Sequence, residues 1–165
     1  MLLRQWRDDD REPFAALNAD PDVMRYFPSP LDRERSDAMV DWASGLIAER
    51  GWGLWAVEAP DVAPFIGFVG LNVPRFMPDV VEIGWRLAKE HWGHGYATEA
   101  ACEALRIGFE EVGLEEIVSF TSVPNVPSRR VMERIGMTHD PSRDFDHPNV
   151  PDGPLKRHVF YAIRR

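Results

Sequence analysis

Three apolar runs, over residues 52–58, 65–73 and 80–87, lie close together and are rich in aliphatic and aromatic side chains. Prolines at 60, 64, 74 and 78 fall in or beside the gaps between them. Proline removes an amide donor and is kept out of strand interiors, so runs punctuated this way predict consecutive antiparallel strands. The preceding segment has another period. From 32 to 50, Met39, Trp42, Ala43, Leu46 and Ile47 recur at helical spacing, and Gly51 stops that helix. Earlier still, residues 2–6 read as a short strand. Asp9 and Glu12 predict a capped helix through Leu17, and Asp20-Pro21 opens a short turn ending near Pro28.

Beyond the meander, Gly93-His94-Gly95 precedes a predicted helix over 96–112 with an inner face of Ala97, Ala101, Leu105, Gly108 and Val112. A strand over 117–123, a helix over 127–135, a strand entry at Met137, a loop over 141–154 and a last strand over 158–163 complete the chain. Helices, then a meander, then alternating strands and helices predict a mixed α/β arrangement, read as one domain over 1–165. Trp42, Trp52 and Trp55 are assigned to the core or its edge.

Composition narrows the function classes. A formal net charge of -8 disfavours nucleic acid, and the one dense basic cluster, Arg129, Arg130 and Arg134, is a short helical patch. No apolar run approaches the ~18 residues of a membrane span. Residues 1–6 run into Arg7 and Asp8 too soon for a secretory leader, and a lone cysteine, Cys102, suits a reducing compartment. The expectation is a cytoplasmic protein. Cys102 is read as a small buried residue of the 96–112 helix, not a nucleophile. Asp144, Asp146 and His147 are read as a solvated loop, with no metal.

The turn at 93–95 carries the sharpest chemistry. Glycines just before a helix expose successive backbone amides, and with the positive end of the helix dipole they form a site for a pyrophosphate. A turn that merely starts a helix is the plain alternative. Two well-known phosphate loops do not fit: Gly-Lys-Ser/Thr is absent, and Thr98 stands where a dinucleotide fingerprint needs Gly or Ala.

Two blocks give the turn a family. Trp92-Gly93-His94-Gly95-Tyr96-Ala97-Thr98-Glu99-Ala100 resembles the pyrophosphate loop of the GNAT acetyltransferase superfamily in its Rim-type branch, the ribosomal-protein N-terminal acetyltransferases and their relatives. Trp92 replaces the usual Gln or Arg. Residues 125–137, Asn-Val-Pro-Ser-Arg-Arg-Val-Met-Glu-Arg-Ile-Gly-Met, are similar to the second family block, and Glu82-Ile83-Gly84-Trp85 precedes both. The resemblance implies the GNAT fold: a mixed, mostly antiparallel sheet of about seven strands flanked by helices, with a splayed strand pair as the acetyl-coenzyme A site. It also implies that Trp85, Arg86 and Leu87 pair with the pantetheine arm, that Gly93, His94, Gly95, Tyr96, Ala97 and Thr98 cradle the pyrophosphate, and that Asn125 binds the arm. Ser128 would sit near the sulfur as an acid.

The chemistry needs a neutral amine, since an ammonium has no lone pair. A lysine-like amine of pKa about 10.4 is neutral roughly once in 2,500 molecules at pH 7. A general base therefore matters, and Glu82 is the candidate, with a salt-bridged or outward carboxylate as the alternative. A helix cap is the alternative role of Ser128.

For the acceptor, the resemblance points to the early helices and the C-terminal hairpin. There Tyr26 and Phe27 would form an aromatic wall, and Asp144 and Asp146 would attract a cationic amine. The Rim-type likeness favours a protein N-terminal α-amine. A small-molecule amine (antibiotic or polyamine) and a non-catalytic acetyl-coenzyme A sensor are the alternatives. Either a monomer or a homodimer fits.

Overall fold

The structure is a computed structural model and describes residues 1–165. Its strands are β1 (Leu2–Arg4), β2 (Leu54–Ala59), β3 (Ala63–Asn72), β4 (Glu82–Leu87), β5 (Glu116–Ser122), β6 (Thr138–His139), β7 (Phe145–Asp146) and β8 (Arg157–Arg164). The helices are α1 (Arg11–Ala19), α2 (Arg33–Arg50), α3 (Tyr96–Arg106) and α4 (Val126–Arg134). All eight strands join one sheet, ordered β1-β2-β3-β4-β5-β8-β6, with β7 also on β8. Every pairing is antiparallel except β4–β5. This is the mixed, mostly antiparallel sheet flanked by helices that the resemblance implies.

Each sheet face has its own core. Ile83, Leu87, Ile117 and Tyr161 meet Ala100, Ala101, Ala104 and Leu105 of α3 and Met132 of α4. On the opposite face Phe65 and Phe68 meet Phe14 and Leu17 of α1 and Val40 and Ala43 of α2. Small residues let α3 lie close to the sheet. A side-chain carbon on Gly108 would stand 2.6 Å from the Ile117 methyl. No helix is long and apolar enough to cross a membrane.

Several sequence expectations shift. Asp9 and Glu12 do not cap α1. Asp8–Asp10 form a 3₁₀ turn, and Asp10 instead accepts from the Arg7 amide at 2.7 Å and pairs with Arg4 at 2.7 Å. The buried stripe of α2 is Ser36, Val40 and Ala43, which leaves Trp42 exposed. A π turn over Ile107–Glu111 adds a residue to the end of α3 and turns Val112 off the inner face. Cys102 is exposed on the outer side of α3, not buried. The 141–154 loop contains a 3₁₀ turn, Pro141–Arg143, and strand β7.

Candidate active site

The site begins where β4 and β5 part. Their ladder has one registered pair, Glu82 with Val118, and the Val118 amide donates to the Val81 carbonyl at 2.9 Å. The next β5 amide would reach the Ile83 carbonyl, but the Ser119 hydroxyl takes that acceptor at 2.9 Å. The ladder ends there. Hydrogen bonding alternates along a strand. The Ala88 amide donates to Ile66 of β3, so the even-numbered residues of β4 face β3 and the odd-numbered ones face the gap. The main-chain groups of Trp85 and Leu87 therefore point into the splay, where the Leu87 carbonyl accepts from the Trp92 indole at 2.8 Å. Arg86 is a correction to the sequence expectation. Its backbone pairs with Phe68 of β3, and its side chain lies on the other face of the sheet.

A cavity of ≈ 990 Å³ fills the splay and opens on both faces of the sheet. On the α3–α4 side it is lined by Trp92, Gly93, Ala97, Asn125 and Ser128. Gly93 and Gly95 have φ of 80° and 83°, which only glycine adopts readily. The amides of Gly93, His94 and Gly95 donate to no acceptor within the chain, and a side-chain carbon at either glycine would meet open space. The first three amides of α3 lack helical partners by geometry. His94, Gly95, Tyr96 and Thr98 lie beside the cavity rather than in its wall, with the His94 ring stacked on Tyr96 at 5.4 Å.

Asn125 caps α4. Its side-chain oxygen accepts from the Ser128 amide at 3.3 Å and its amide donates to the Thr121 hydroxyl at 2.8 Å. Ser128 is therefore not the cap, and its half-buried side chain lines the cavity.

On the opposite face β4 presents Glu82, Gly84 and Arg86. Glu82 borders the cavity but is otherwise walled by protein, and burial alone pushes its carboxyl up to about 8. Nearby, Phe76, Phe120, His147 and His158 form an aromatic wall, with Phe76 4.5 Å from His147 and His147 4.9 Å from His158. Burial holds the His147 imidazole down at about 4, and neighbouring His158 is lowered as well. At the other end stand Tyr26 and Phe27, with the Arg86 guanidinium 4.3 Å from the Phe27 ring.

The sequence reading missed the aromatic wall. Strand alternation places Val118 and Phe120 on the face of Glu82, and that signal was available, but Phe76 and His147 arrive from loops that no periodicity orients. The proposed acceptor roles of Asp144 and Asp146 are corrected. Asp144 accepts from the Phe160 amide at 2.8 Å and pairs with His139 at 3.0 Å, so it holds the hairpin. Asp146 points to solvent beside Arg157, and neither lines the cavity. Asp144, Asp146 and His147 do not gather into a metal site.

Comparison with known proteins gives this arrangement relatives. Residues 1–138 match the family described as "Acetyltransferase (GNAT) domain". The Bacillus subtilis protein YkkB is 37% identical over 140 residues, covering 82% of this chain and 80% of its own length. The FsC-acetyl coenzyme A-N(2)-transacetylase of Aspergillus fumigatus is 32% identical over 167 residues, covering 95% and 70%. Among solved structures, a GNAT-family acetyltransferase from Bacillus anthracis superposes with a TM-score of 0.82 at 29% identity, covering 99% of this chain and 93% of that one.

Proposed function

The chain belongs to the acetyltransferase (GNAT) domain family, and from that premise we propose that it passes an acetyl group directly to a primary amine, with Glu82 receiving the amine's proton. By family it is an acetyl-coenzyme A-dependent N-acetyltransferase. One observation carries the finer reading: a carboxyl held at about 8 stands on β4 at the point where its ladder with β5 is cut.

The residues present suit the cosubstrate. The free amides of Gly93–Gly95 and the first turn of α3 match a pyrophosphate, and the main-chain groups of Trp85 with the amide of Leu87, turned into the splay, match the amides of a pantetheine arm, as an added strand would. Bound there, acetyl-coenzyme A supplies an activated acyl carbon, whose C–S bond breaks as the C–N bond forms.

The protein's own work is to move protons and exclude water. The Glu82 carboxylate accepts a proton from the bound ammonium and frees its lone pair. The Ser128 hydroxyl, on α4 in the cavity wall, relays the second proton, shed by the attacking nitrogen, to the departing thiolate. That help is small, because a thiol of pKa about 8.5 leaves readily. The aromatic wall and the neutral His147 keep the reacting end dry without adding charge. A protein N-terminal α-amine is the acceptor this reading favours, since the Trp-Gly-x-Gly-Tyr-Ala block resembles the Rim-type loop.

The test is direct. Acetyl-coenzyme A binding is measured by calorimetry, and free thiol release is followed over a panel of amines and peptides. Release with at least one acceptor is expected. Tight binding with no release across the panel would favour a sensor and refute transfer.

A further inference from the structure

Two arginines reach inside this protein, and they are treated differently. The Arg4 side chain, 9% exposed, is surrounded by carboxylates: Asp10 at 2.7 Å and Glu58 at 2.9 Å. Arg86 has no carboxylate at all. Its one hydrogen bond runs from Nη1 to the Asn18 side-chain oxygen at 2.5 Å, and Nε is buried without a partner. The Phe27 and Phe68 rings lie 4.3 and 5.5 Å from the guanidinium. Cation–π contacts offset part of the desolvation, about 0.5–2 kcal/mol each, but an interior charge without a counterion costs several.

Arg86 is also held in position. Asn18 and Ser36 are fully buried, and the Asn18 amide donates to the Ser36 hydroxyl at 2.9 Å, which turns its oxygen toward Arg86. Helices α1 and α2 thus both position the guanidinium. Nε is closed off by protein, so the donor left to the cavity is Nη2, which makes no hydrogen bond and can meet a carboxylate oxygen. Burial lowers this arginine only to about 10, so it stays charged at neutral pH.

The surroundings fit an anion. Five arginines line the cavity against two carboxyls, Asp22 and Glu82, in a chain of net charge -8; Arg130 and Arg134 stand on α4, on the coenzyme side, which leaves Arg25, Arg75 and Arg86. Asp22 is paired with Lys89 and lies 3.6 Å from Arg25. Glu82 and Arg86 share one face of β4, four residues and so about 13 Å of strand apart. Between them Gly84 contributes no side chain, and a carbon built there meets open space. A trough runs from the base to the cation.

We propose that the acceptor is an amine that also carries a carboxylate, its amine at Glu82 and its carboxylate on the Arg86 guanidinium. This rests on the acetyl-transfer reading and names the substrate class of the same site. One fixed cation matches one carboxylate, whereas a polyamine would bring positive charge against Arg86. The carboxylate arises either from a small ω-amino acid or from an acidic side chain early in a peptide.

The experiment compares matched acceptors on the intact protein with acetyl-coenzyme A, read as thiol release. One arm sets ω-amino acids of graded length against their primary amides and against diamines. The other sets peptides with Asp or Glu at the second or third position against the Asn or Gln forms. Charge-assisted hydrogen bonds predict a carboxylate preference of about 10- to 150-fold in kcat/KM, in one arm or both, and the arm identifies the source. Arg86→Gln should erase the preference by raising KM for the carboxylated acceptor to that of its amide, with kcat moved less. The wild-type comparison needs no variant, so a folding defect in Arg86→Gln leaves the test intact. Equal turnover of carboxylated and neutral acceptors, or faster turnover of diamines, would overturn the inference. Silence of the whole panel with acetyl-coenzyme A bound normally would overturn the transfer reading, and the inference with it. Failure of acetyl-coenzyme A to bind would overturn the transfer reading itself.

Discussion

Replacing Glu82 with glutamine removes the proposed base while keeping its shape, and the structure sets the size and pH course of the loss. The carboxyl sits at about 8 rather than the ordinary 4.5 because burial disfavours its charge. Taking a proton from an ammonium of pKa about 10.4 then crosses a gap of about 2.4 pH units rather than about 5.9. Counted as populations, the carboxylate–ammonium pair outnumbers the free neutral amine by about 250-fold at any pH well below 8. Both populations rise tenfold per pH unit there, so the advantage stays level. Above 8 the carboxylate saturates while the neutral amine keeps rising, and the advantage shrinks to about tenfold near pH 9.4. The assay is kcat/KM for a lysine-type amine from pH 6 to 10, by thiol release, for both proteins. Wild type should inflect near 8, and Glu82→Gln should climb steadily towards about 10.4. A loss of equal size at every pH, or a wild-type profile flat from pH 6 to 9, would refute Glu82 as the base.

The remaining predictions concern binding and stability. Gly95→Val places a branched side chain at φ 83° in the space proposed for the pyrophosphate, and should weaken acetyl-coenzyme A binding by at least about 100-fold in calorimetry; unchanged affinity would remove the turn from the site. Gly67→Ala puts a carbon 2.2 Å from the Arg86 carbonyl at φ 135°, so β3 must separate from β4, at a cost of about 3 kcal/mol or more; an unchanged urea midpoint would contradict that packing. Glu82→Gln also has a stability signature. A raised carboxyl stays protonated in the fold while the unfolded chain ionises, so wild type loses stability as pH rises from 4.5 through about 8. The variant lacks this loss, and its melting advantage should grow between pH 5 and pH 8.

The order of elements was readable before any coordinates, because proline breaks, helical spacing and glycine stops are local signals. The turn at Gly93–Gly95 was equally readable, since bare amides before a helix follow from two glycines and nothing else. Strand alternation likewise puts Glu82, Gly84 and Arg86 on one face. What that face meets was beyond the sequence. Asn18 and Phe27 come from more than fifty residues upstream, and Phe76 and His147 from loops without periodicity, so their convergence depends on how the sheet is stacked. The same applies to charge. Asp144 looked like a lure for cations until the fold turned it to the Phe160 amide, and Glu82, the candidate base in the sequence, is raised to about 8 only by the burial that the fold imposes. Local chain chemistry determined the elements and the glycine turn before α3. Only tertiary packing, which sets desolvation and brings distant side chains together, decided which carboxyl holds a proton and which arginine is left without a carboxylate.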